Sequence, residues 1–180
     1  MLIKSILKSI LKSLFFMKNS MRTILFSVTT ILLIILVSCN PAKKYEKAEA
    51  SEIQDYLSKN PNLLFEKKTS GLYFLDVTVG TGRAPINKDT VWVKCTGKFL
   101  SGTTFYTNVG IADSLMFPVY QGYMIYGFEE GISYMKEGGK SLLIIPSSLA
   151  YGTMGYNEIA GYTPLLYELE LVKVKAGPVK

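Results

Sequence analysis

Hydrophobic and polar positions along this chain fall into three regimes. Residues 24–37 form one apolar to weakly polar run, Ile-Leu-Phe-Ser-Val-Thr-Thr-Ile-Leu-Leu-Ile-Ile-Leu-Val. At about 14 residues it is short for a bilayer span, which takes about 20. Residues 40–51 are polar and charged and read as a tether. Within 43–59, Lys, Glu and Ala surround Ile53, Tyr56 and Leu57 at helical spacing, which predicts a short spacer or docking helix. Pro61 disfavours helix at Asn60 and ends it.

From Leu72 the pattern is that of strands and turns. Leu72 to Val79 is rich in β-branched and aromatic residues and stops at Gly80-Thr81-Gly82. Val91, Val93 and Cys95 share one face of a second strand, which runs through Lys98-Phe99-Leu100 to a Ser101-Gly102 turn. Thr103 to Tyr106 begins the return strand. Phe128, Ile132 and Met135 stand four and three residues apart, predicting a short helix over 127–135 closed by Gly138-Gly139. Ser141 to Pro146 is an apolar strand, and Leu165 to Val174 is a final alternating one. Between them lies a Gly/Tyr-rich loop, residues 147–163, of the length at which loops carry function. Strands, one helix, then strands give an α+β domain with a mainly antiparallel sheet.

Histidine is absent. This excludes Ser-His-Asp and Cys-His nucleophile systems and His-ligated zinc or haem. Cys39 and Cys95 are too far apart for a CxxC redox or zinc spacing, so no metal and no cofactor are expected. Gly138-Gly139-Lys140 lacks the spacing of a phosphate loop and reads as a turn. Glu129 and Glu130 read as a solvated helix face. The net charge is +6, from 20 basic and 14 acidic residues, but Lys4, Lys8, Lys12, Lys18 and Arg22 all precede residue 39. The remaining residues carry 15 bases against 14 acids, which argues against a nucleic-acid-binding domain.

Lys18 and Arg22 ahead of the short apolar run form the plan of a secretory signal. The run ends in Leu36-Val37-Ser38-Cys39, which resembles the bacterial lipobox. The resemblance implies a diacylglyceryl group on Cys39 as the mature N-terminus, and a domain held outside the cytoplasm on the cell envelope. Residues 1–38 are then the signal peptide. Residues 1–16, with lysines spaced four apart, are read as the product of a start codon called too early rather than as a membrane-active helix.

Six motifs then occur in order. They are Val93-Lys94-Cys95-Thr96-Gly97, Ser101-Gly102-Thr103-Thr104-Phe105, Met124 to Gly131, Met135 to Lys140, Ile145-Pro146 with Ala150-Tyr151-Gly152, and Leu165 to Leu171. Together they resemble the FKBP-type peptidyl-prolyl cis-trans isomerases over residues of about 70 to 176. The resemblance implies a twisted antiparallel sheet wrapped around one short helix, with the domain at 71–176 and a lipidated tether and short helix at 39–70. It implies catalytic roles for Phe105, Ile125, Tyr151 and Tyr167, and a substrate pocket completed by Cys95, Tyr106, Leu115, Phe117, Met124, Phe128 and Ile159. The Ile125 N–H and the Tyr151 hydroxyl are the expected partners of substrate carbonyls, and the proline ring is expected against Phe105, Phe128, Ile125 and Tyr167. Val93, Phe99, Ile144, Leu169 and Leu171 are expected to fill the core.

Three positions depart from the family pattern. Cys95 replaces a Tyr, Tyr106 replaces an Asp, and Ile159-Ala160-Gly161 replaces Ile-Pro-Pro one position shorter. The first two read as one compensated swap, with Tyr106 in the space that Cys95 vacates. The function implied is isomerisation of X–Pro bonds in exported polypeptides. The alternatives are a non-catalytic, chaperone-like or assembly-binding lipoprotein of the same fold, and a scaffold subunit of an envelope machine. An open apolar pocket is expected for the first, and one filled by Tyr106 for the second. The sequence sets no oligomeric state.

Overall fold

The computed structural model describes residues 41–178 together with Ile6, Lys8, Ser9, Lys12, Met21 and Ile24. Cys39, residues 25–38 and most of residues 1–16 lie outside the described residues, and with them the signal and lipidation readings. Among the described residues, no helix is long and apolar enough to cross a membrane.

Helix α1 spans Pro41–Lys59 and already includes most of the stretch read as a tether. Strands β1 (Glu66–Lys67), β2 (Tyr73–Thr78), β3 (Thr90–Phe99), β4 (Thr104–Thr107) and β5 (Leu115–Pro118) follow. Then come helix α2 (Tyr126–Tyr134), strand β6 (Lys140–Ile145), a 3-10 turn (Ser147–Leu149) and strand β7 (Leu165–Lys175). All pairings are antiparallel, in the order β1-β2-β6-β7-β3-β4. The outer edge of β3 is shared: β5 pairs with Thr90 to Val93, and β4 with Thr96 to Lys98. Register shifts at Trp92/Val93, Gly97/Lys98 and Asp76/Thr78 interrupt the ladders. Such bulges bend strands and increase their twist, and so curl the sheet.

The two faces of the sheet are covered differently. On one, Phe128 and Ile132 of α2 and its C-cap Met135 enter a core with Val91, Val93, Cys95, Leu143, Ile145, Tyr167, Leu169 and Leu171. Phe99 packs against its margin. Gly131 sets the depth of that contact: a Cβ there would lie 2.3 Å from Leu143 Cδ1. On the other face, Ile53 of α1 is buried with Tyr73, Ile144 and Leu166, flanked by Tyr56 and Leu57. Ile144 thus fills the second core rather than the one under α2. Residues Tyr45–Lys180 form one compact unit, so this part of α1 packs with the sheet ahead of residue 71.

Helix α2 begins with a correction. Glu129, read as part of a solvated face, is 5% exposed, and its Oε1 accepts the Met124 N–H at 3.0 Å. A carboxylate in the first turn is favoured by the helix dipole, and here it also satisfies the backbone donor of Met124, just ahead of the N-cap Ile125. Glu130 accepts hydrogen bonds from the hydroxyls of Ser70 and Tyr134.

Candidate active site

A cavity of about 590 Å³ opens beside strand β4. Its size is within the range of small-ligand sites, roughly 300–1,000 Å³. Phe105, Tyr106, Leu115, Met124, Tyr151, Ile159 and Tyr167 line it, as do Tyr156, Asn157 and Glu158. Seven of the eleven pocket residues expected from the sequence therefore stand together around open space.

The other four are placed elsewhere. Cys95, Phe117 and Phe128 do not line the cavity but lie in the core, with Cys95 and Phe128 fully buried. The strand periodicity explains Cys95, which shares the inward face of β3 with Val91 and Val93. Phe128 meets the Tyr167 ring edge-on at 5.2 Å, and the Phe117 ring lies 6.0 Å from that of Phe128. Ile125 is half-buried at the helix start, beside the cavity-lining Met124. Its N–H donates to no acceptor among the described residues, because the bonds at this corner use the Ile125 carbonyl and the Met124 N–H.

Aromatic packing builds one wall. Phe105 meets Tyr167 edge-on at 5.8 Å and Phe99 at 5.2 Å. Gly97 of β3 makes room for this: a Cβ there would come within 2.7 Å of the Phe105 ring and 3.0 Å of Tyr167. Tyr106 pairs with Gly97 across the strands and is 42% exposed. It lines the cavity, which remains open beside it.

The opposite side is the loop after β6. Tyr151 stacks on Tyr156 at 5.3 Å, and Tyr156 and Ile159 exchange backbone hydrogen bonds of 2.8 and 2.9 Å. The turn between them uses Asn157 in the left-handed region, a conformation Asn tolerates. This closure brings Asn157 and Glu158 to the cavity. Neither is among the pocket residues the sequence motifs indicate, although both lie in the loop that length and Gly/Tyr content mark.

Burial disfavours ionisation of Tyr106, Tyr151, Tyr167 and Cys95. It raises the pKa of Tyr167 and, to a lesser degree, of Tyr151 and Tyr106, and pushes the Cys95 thiol up to about 11. The hydroxyls of Tyr106, Tyr151 and Tyr167 have no hydrogen-bond partner among the described residues, and none is a buried orphan. They are donors available to a bound molecule.

The FKBP-type peptidyl-prolyl cis-trans isomerase family model matches residues 81–172. The FKBP-type peptidyl-prolyl cis-trans isomerase FkpA of Escherichia coli is 33% identical over 132 residues, 73% of this chain and 47% of the relative. The FKBP-type 22 kDa peptidyl-prolyl cis-trans isomerase of the same species is 35% identical over 130 residues, 71% of this chain and 62% of the relative. The chain thus spans about half the length of the FkpA relatives it matches. A peptidyl-prolyl cis-trans isomerase structure from Pseudomonas syringae superposes with TM-score 0.64 at 27% identity, covering 77% of this chain and 99% of that one. The fold is shared with that structure, and the chain belongs to the FKBP-type peptidyl-prolyl cis-trans isomerase family.

Proposed function

We propose that this protein catalyses cis-trans isomerisation of X–Pro bonds in polypeptides, and that it does so on the cell envelope from a lipid anchor at Cys39. The observation that carries the catalytic reading is the open, aromatic-walled cavity with unpartnered hydroxyls, which Tyr106 borders without filling.

Amide rotation is slow because C–N double-bond character sets a barrier of about 18–20 kcal/mol. X–Pro bonds take tens to hundreds of seconds uncatalysed. Twisting the bond breaks conjugation and lowers the charge separation across the amide. An apolar, water-poor cavity therefore holds the twisted state better than the planar one, which is differential binding of the transition state. In this reading the proline ring lies against Phe105 and Tyr167, with Leu115, Met124 and Ile159 excluding water. The Ile125 N–H and the Tyr151 hydroxyl hold the carbonyls on either side. Cys95, Phe117 and Phe128 fix the cavity floor from beneath. No proton is transferred, so the chemistry needs neither histidine nor a cofactor.

The test is an isomerase assay with the full chain in detergent micelles and short X–Pro peptides. The wild type accelerates isomerisation, and Tyr151→Phe lowers kcat/KM about 3- to 10-fold, the worth of one hydrogen bond of about 0.5–1.5 kcal/mol. A folded wild type without acceleration would leave a binding domain of the same fold.

A further inference from the structure

Around Tyr151 the loop is held by several backbone hydrogen bonds: the Tyr151 carbonyl accepts the Gly155 N–H at 3.1 Å, and Gly152 is tied on both sides. The Gly152 N–H donates to the Ser147 carbonyl at 2.8 Å, and the Gly152 carbonyl accepts the Tyr162 N–H at 2.9 Å. Ser147 also takes the Ala150 N–H at 2.9 Å, so both neighbours of Tyr151 are tied to Ser147. Tyr162 sits in the left-handed region at φ 60°, which a non-glycine residue keeps where its surroundings hold it there.

Helix α1 reaches both of these residues. The Glu49 carboxylate accepts the Ser147 N–H at 2.5 Å through Oε1 and the Ser147 hydroxyl at 2.7 Å through Oε2. One turn earlier, the Tyr45 ring stacks on Tyr162, 5.3 Å between centroids and 18° between planes. The packing of α1 on the sheet is made elsewhere, by Ile53, Tyr56 and Leu57. Glu49 and Tyr45 stand outside that apolar cluster, and they touch the two residues that clamp the peptide groups next to Tyr151.

We propose that helix α1 is a positioning element of the isomerase site, with Glu49 and Tyr45 as positioning residues that set the Tyr151 hydroxyl through Ser147 and Tyr162. Its kinetic consequence rests on the isomerase reading; its structural one does not. A hydrogen bond to a carboxylate is stronger than a neutral one, so Glu49 is the larger of the two contributions.

The test compares the full-length wild type in micelles with Glu49→Ala, Glu49→Gln and Tyr45→Ala. Alanine is the best helix former, so α1 itself is preserved. Hydrogen exchange at the Ala150, Gly152 and Tyr162 amides is read against core amides such as Val93 and Leu169. Glu49→Ala should speed exchange at the three loop amides at least about 10-fold with the core unchanged, and lower kcat/KM by about 3- to 10-fold, as loss of hydrogen bonds predicts. Tyr45→Ala should do the same more weakly and mainly at Tyr162. Glu49→Gln should stay near wild type, because its amide oxygen accepts the Ser147 N–H and its nitrogen donates to Oγ. Unchanged loop exchange in Glu49→Ala overturns the proposal, as does an equal rise in the core, a failure of Gln to rescue, or unchanged kcat/KM with a loosened loop. An inactive wild type would refute the isomerase reading alone, and the exchange comparison would still decide whether α1 holds the loop.

Discussion

Tyr151, Tyr167 and Cys95 are read together as neutral groups at and beneath the cavity, all pushed up by burial. Through the neutral range they stay protonated, so kcat/KM should be flat between about pH 6 and 8, where ordinary thiols and tyrosines do not titrate either. A bell-shaped profile with the fold intact would indicate acid-base chemistry. The thiol makes a second prediction. Its pKa is raised from 9.0 in the ordinary state to about 11 in the fold, so the unfolded chain loses the proton first. The stability it contributes is complete below pH 9 and is lost as pH rises toward 11. Denaturant unfolding across that window should fall less steeply for Cys95→Ala than for the wild type. Parallel slopes would mean the thiol titrates alike in both states.

At the scale of elements, what was legible in the sequence is what a period reveals. Strands β3, β6 and β7 and helix α2 announce themselves through alternation or through Phe128 and Ile132, and their cores are where those residues point. Strand β5 gave no such signal, because four residues ending in Pro118 become a strand only by pairing with Thr90 to Val93. The cavity wall from Phe105 to Tyr167 was legible through motif resemblance, whereas Asn157 and Glu158 reach it through a loop closure that has no period. Glu129 departs from the solvated face its sequence position suggests for a physical reason: a charged residue on a helix is usually solvated, and its partner, the Met124 N–H, lies outside the helix. Its removal should therefore be costly. Glu129→Ala leaves a backbone donor without its partner and should destabilise the fold by about 1–3 kcal/mol, with Glu129→Gln close to wild type. Equal unfolding free energies for Ala and wild type would show that the bond contributes nothing.

At the scale of the whole molecule, the sequence beyond Cys39 is nearly balanced in charge, and the sequence ahead of it is basic and apolar. Five of its 20 basic residues precede Cys39, and helix α1 starts at Pro41, just beyond it. Stable anchoring takes more than one acyl chain, a condition the lipidated cysteine would meet. Cys39→Ser should release the protein from the membrane fraction or leave it as a slower-migrating precursor; unchanged partition and mobility would contradict the anchor. The central claim, that the aromatic cavity twists X–Pro bonds, is tested most directly by exchange NMR on a proline peptide with catalytic amounts of the full chain in micelles. Cis-trans exchange should rise from the uncatalysed rate, one event in tens to hundreds of seconds, to a rate proportional to enzyme concentration. It should fall back in Phe105→Ala, whose ring forms the wall above Gly97. Exchange that stays at the uncatalysed rate with folded wild type, or that Phe105→Ala leaves untouched, would contradict the account.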